Sequence, residues 1–93
     1  MPGSSKPIYH RLVIAASRPD TEIWLGDNEG HFVQKAVGEL RTSLLSGEDV
    51  VEFGLGTQTY PVALSAPARY TQTRLEAGPP CRRPIPRLPE AAP

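Results

Sequence analysis

The side chains able to do covalent chemistry are few and widely spaced in this 93-residue chain. His10 and His31 are the only histidines, and Cys81 is the only cysteine. A thiolate nucleophile must be held within hydrogen-bond reach of a base. Cys81 lies in a stretch rich in proline, which offers no rigid frame for such a pair. Serine, histidine and aspartate all occur, but no nucleophile elbow marks a particular serine. The expectation is a protein that is not an enzyme. Metal chemistry fares little better. Asp27-Asn28-Glu29-Gly30 is oxygen-rich like part of a calcium loop. Setting Gly30 at that loop's glycine puts Leu25 at its first ligand position and Ala36 at its last, and neither has a side-chain oxygen. Gly54-Leu55-Gly56-Thr57 lacks the lysine and spacing of a phosphate-binding loop and reads as a turn. No cofactor and no metal is expected.

What remains is recognition by charge. The formal net charge is zero, but it is unevenly spread. Residues 1–18 hold Lys6, Arg11 and Arg18 and no acid, giving +3. Residues 19–64 hold eight acids against Lys35 and Arg41, giving −6, and residues 65–93 return to +3. Such asymmetry speaks of partners rather than of fold. The candidate partner-binding residues are Glu48, Asp49, Glu52 and Tyr60 in the acidic middle. Arg69, Tyr70, Arg74, Arg82, Arg83 and Arg87 join them from the basic end. The acidic body would mate with a basic patch, and the proline-rich end would lie across the partner. Arg83-Pro84-Ile85-Pro86-Arg87-Leu88-Pro89 also has the Arg-x-x-Pro-x-x-Pro spacing that SH3 domains read from a polyproline II ligand.

These residues need a frame. Residues 1–7 read as a flexible lead-in, residues 8–75 as one small domain, and residues 76–93 as an extended or disordered Pro/Arg-rich tail. In the domain, Ile8–Ala16 is β-prone, with a helix as its rival. Arg18-Pro19-Asp20-Thr21 suits a type I turn, and Thr21–Leu25 makes a second strand, so a hairpin comes first. From His31 to Ser46, Val33, Val37, Leu40 and Leu44 fall three or four apart, which predicts a helix capped by Asp27 or Asn28 and stopped at Gly47. The pattern then alternates: Val51, Phe53 and Leu55 share one face, and Tyr60, Val62 and Leu64 share one face of a partner strand. Tyr70–Leu75 can add a fifth strand. The fold expected is a small α+β domain, hairpin–helix–hairpin (ββαββ). Its core would be Leu12, Ile14, Trp24, Val37, Leu40, Leu44, Val51, Phe53 and Val62.

One stretch resembles a known family. Gly47, Glu48, Val50, Gly54, Gly56 and Thr57 match the Gly-Glu-x-Val…Gly-Phe-Gly-Thr run at the end of the second helix and first strands of the histone-like HU proteins. The resemblance covers about a dozen residues. It implies a nucleic-acid-binding alternative, using the 50–64 hairpin and the Arg-rich end. The family's basic arm has no counterpart here, where Pro61-Val62-Ala63-Leu64 follows instead. The helix–Gly–hairpin order is also similar to small head-completion proteins of tailed phages. The leading expectation is a non-catalytic interaction module, an assembly component or a small phage-type regulator docking on a larger protein, with self-association an open option. One cysteine permits no internal disulfide, and no apolar run resembles a signal peptide or a membrane span. A cytoplasmic protein is expected, or a virion-associated one if phage-encoded.

Overall fold

In the computed structural model the described residues are 7–54 and 58–86. They form seven strands and one short helix: β1 (Tyr9–Ala15), β2 (Glu22–Asp27), β3 (Phe32–Val37), β4 (Glu39–Leu45), β5 (Gly47–Phe53), β6 (Thr59–Leu64), β7 (Ala68–Thr71) and α1 (Gln72–Glu76). Two sheets result, a three-stranded one in the order β4-β1-β7 and a four-stranded one in the order β3-β2-β5-β6. Most of this comes from one long hairpin folded over on itself. β2 pairs antiparallel with β3 around the Asn28–Gly30 turn, and β1 pairs antiparallel with β4 further from that turn. Between the two ladders the first arm carries the extra loop 16–21, while the second arm turns the corner through Gly38 alone.

The corner is held without side chains. Ala16 N–H donates to the Gly38 carbonyl at 2.9 Å, and Gly38 N–H donates to the Thr21 carbonyl at 2.8 Å. Gly38 has φ +81°, and a Cβ there would stand 2.8 Å from the Pro19 carbonyl oxygen. Only glycine suits both the left-handed backbone and the close approach.

The ββαββ expectation is therefore corrected. There is no helix over 31–46, and β1 and β2 are not partners but lie in different sheets. Along β3 and β4 burial alternates with period two, and the even-numbered positions are the more buried ones on both sides of Gly38. Val33 and Val37 stand on the exposed side of β3, whereas Leu40 and Leu44 point inward from β4. Two outward valines followed by two inward leucines reproduce the three-and-four spacing of a helical stripe. Val37, expected in the core, is 57% exposed. Leu44 and Leu45, where the HU resemblance implies a helix end, close β4 instead. The fifth strand is also shorter than expected. β7 stops at Thr71, whose hydroxyl accepts from Arg74 N–H and caps α1.

The core lies between the sheets. Leu12, Ile14 and Leu40 from the three-stranded sheet meet Ile23, Leu25, Val51, Phe53, Val62 and Leu64 from the other, and Leu75 of α1 packs with them. A third layer covers the outer face of the four-stranded sheet. Cys81 N–H donates to the Thr59 carbonyl at 2.8 Å, pairing the tail with the β6 edge. Further along, Ile85 is buried in a cluster with Trp24 and Val50, with Phe32 and Cys81 packed against it. A Cβ on Gly26 would come within 3.0 Å of Ile85, so the missing side chain makes the seat. The lead-in expected over 1–7 lies outside the described residues except for Pro7, as do tail residues 87–93.

Gly38 and Gly30 offer a controlled comparison, because both have positive φ but only Gly38 is crowded. Gly38→Ala should lower the unfolding free energy by about 2–3 kcal/mol, against about 1 kcal/mol for Gly30→Ala. Urea denaturation of both variants checks it, and equal losses would remove the corner's steric role.

Candidate interaction surface

Alternation along β1, β4 and β7 sends every second side chain to the outer face of the three-stranded sheet. In register, Tyr9 lies beside Leu45, Arg11 beside Ser43, and Val13 between Arg41 and Arg69. Three arginines thus surround one half-buried valine, and all three are exposed. Arg41 Nε donates to Glu39 Oε2 at 2.5 Å in the adjacent row. A shallow depression of about 400 Å³ between Arg11 and Arg41 is floored by Thr42 and Ser43. A second, of about 300 Å³, runs between Arg11 and Arg69 over Val13 and Pro67. At one end stand the cross-strand partners Tyr9 and Leu45, exposed by 59% and 49%. Among the described residues, no layer like the tail covers this face.

The residues singled out from sequence are not gathered in one place. Arg69 is on this face. Glu48 lies at the far sheet, its carboxylate 3.6 Å from Arg83 Nη1, and Arg83 also donates to Asn28 Oδ1. Arg82 and Arg83 line a cavity of about 490 Å³ between the tail and the Asn28–Gly30 turn. Glu52 is buried on the outer side of the four-stranded sheet, in register between Trp24 and Thr59. Tyr60 is half-buried with its ring 6.5 Å from that of Phe53. Tyr70 packs against the core, and the Arg74 guanidinium lies 5.1 Å over its ring. Arg87 lies outside the described residues. Arg11 and Arg41 were missed because their nearness to Arg69 exists only in the β4-β1-β7 register. The alternation of Tyr9, Arg11 and Val13 was the one local signal.

Asp49 is 8% exposed, and its Oδ2 has no hydrogen-bond partner. Burial pushes its carboxyl above the usual range, and Asp27, its partner across the β2–β5 ladder, adds to the rise. Asp27 is shifted the other way. His31 N–H donates to its Oδ1 at 2.8 Å, which is the largest cause, and the imidazole and Glu29 N–H add to it. The carboxylate closes the Asn28–Gly30 turn, so the residue expected to cap a helix caps a hairpin instead. The His31–Asp27 pair, 3.1 Å apart, sits on this exposed turn. His10 Nε2 lies 2.9 Å from Ser46 Oγ, also exposed. Among the described residues no cluster of three or more metal-ligating side chains forms, and no helix is long and apolar enough to cross a membrane. No family model matches the sequence, and no curated protein or solved structure matches it either.

A carboxyl with a raised folded-state pKa is protonated more readily in the folded than in the unfolded chain. Its contribution therefore costs stability at neutral pH, and the cost fades as pH falls toward and below 3.8, the ordinary value. Asp49→Asn should raise the melting temperature at pH 7 by about 4–8 °C, the equivalent of about 1 kcal/mol in a domain this size. The gain should vanish near pH 3. A gain that persists undiminished in acid would rule out ionisation as its cause.

Proposed function

We propose that this chain is a non-catalytic protein–protein interaction module, an assembly component or a small regulator that docks on a larger protein. The observation that carries the reading is the apolar end of the bare sheet face. Tyr9 and Leu45 are large, exposed cross-strand partners, and exposed apolar surface at the end of a bare sheet face is a mark of an interface. Burial of a partner's side chains there would stabilise both proteins without any change in the core.

The reading also rests on what the imidazoles do. A histidine acting as a base needs a second group to orient it and a nucleophile or substrate within reach. Asp27 holds the His31 ring at 3.1 Å on an exposed hairpin turn, and among the described residues no nucleophile is bonded to that ring. His10 meets Ser46 with no carboxylate behind the ring among the described residues. For the nucleic-acid alternative, residues 50–64 contain no lysine or arginine to neutralise phosphate. The interaction reading therefore stands ahead of it.

Cross-linking in extracts of the native host tests the proposal. Wild-type protein should give a discrete heteromeric species that Tyr9→Ser/Leu45→Ser loses while its circular dichroism is unchanged. A wild-type chain that stays strictly monomeric and forms no cross-linked species would overturn it.

A further inference from the structure

We propose that the outer face of the β4-β1-β7 sheet docks an acidic, extended segment of a partner protein. The partner's carboxylates would meet Arg11, Arg41 and Arg69, and an apolar side chain beside them would meet Tyr9 and Leu45. The proposal rests on the interaction-module reading and names that module's partner chemistry. Charge complementarity carries it. Three exposed guanidiniums converge on Val13 across three neighbouring strands, with Cα atoms of Arg41 and Arg69 about 10 Å apart by strand spacing. Glu39, at the far end of the face, already holds Arg41, which shows in miniature the ligand this surface accepts. Guanidinium binds carboxylate in a fork that lysine cannot reproduce.

The register also sets the partner's pattern. Along β1 the face runs from Tyr9 through Arg11 to Val13, in steps of about 7 Å for every two residues. A strand-like segment lying along it would offer an apolar residue first, then acids two and four positions later. The mixture of arginine, tyrosine and leucine is that of a protein interface. Nucleic acid fits less well, because Glu39 stands in the face and the chain as a whole carries no net positive charge.

Fluorescence anisotropy with a labelled peptide containing Leu-Thr-Glu-Thr-Glu tests the proposal on the full chain. Three other probes complete the set: a scramble of the same composition, its Lys-for-Glu counterpart and an oligothymidylate. The ordered acidic peptide should bind most tightly. Arg11→Glu and Arg69→Glu should each weaken it about tenfold, and Glu39→Gln, which frees Arg41, should tighten it about threefold. The lysine peptide should bind the Arg11→Glu/Arg69→Glu double variant better than the wild type. No single fold-damaging substitution would produce that exchange. Tighter binding of oligothymidylate, or equal binding of ordered and scrambled peptides, overturns the proposal. If the acidic peptide fails while the cross-linked partner persists, this docking mode falls and the interaction reading stands. If both fail, both fall.

Discussion

Two amide–carbonyl hydrogen bonds at a corner without a side chain decide the shape of this domain. Where Gly38 passes under Pro19, its N–H and C=O are taken by Thr21 and Ala16 of the opposing arm. The arms of the long hairpin are thereby turned out of one plane into two sheets. If the hairpin ran straight, Leu12, Ile14 and Leu40 would have no facing layer. Folded, they meet Ile23, Leu25 and Val51. The in–out alternation of the second arm runs on through the corner, so β4 shows Arg41 and Leu45 to solvent and Leu40 to the core.

What changes across the corner is the face that carries the larger apolar residues, outward valines in β3 and inward leucines in β4, and this gives the middle of the chain its helical look. Period-two alternation is the usual sign of a strand, and a window holding one strand shows it plainly. Residues 47–53 and 59–64 are two such cases, and β5 pairs with β6. β1 and β2 also lie where strand-like stretches were expected, though their partners differ. A window from 32 to 45 holds two strands with apolar residues on opposite faces, and the outward 33 and 37 with the inward 40 and 44 add up to a helical stripe. Hydrophobic pattern alone cannot separate the two readings. The glycine in the middle does, since it is costly within a helix and apt at a bend.

Charge was legible as a total along the chain but not as a surface. Arg41 lies in the most acidic third of the sequence, yet its neighbours in space are Arg11 and Arg69. Asp49 and Glu52 looked like surface acids and are buried, one facing inward beside Asp27 and one on the outer side of the sheet near the tail's Cys81 bridge. Glu48 is paired with the basic tail, so the acidic middle and the basic C-terminal part of the linear charge pattern partly cancel within the fold. Sheet pairing joins residues tens of positions apart, and no local count of charge contains that information.

The two outer faces differ in what exposure would cost. Bare of the tail, the four-stranded sheet would show Trp24, Phe32 and Val50, each worth about 1.5–3 kcal/mol when fully buried. A strap anchored by Ile85 and aligned by the Cys81–Thr59 bridge answers that need within folding itself. The three-stranded sheet needs no such cover over most of its area, because arginine, serine and threonine keep their polar ends in water while their stems shield the strands. Its apolar end is different. Tyr9 and Leu45 contribute nothing to the core clusters, and a chain concerned only with folding would gain solubility from polar residues there. Their place on an otherwise polar face, beside Arg11 and Arg69, is what folding leaves unexplained and the proposed docking would account for.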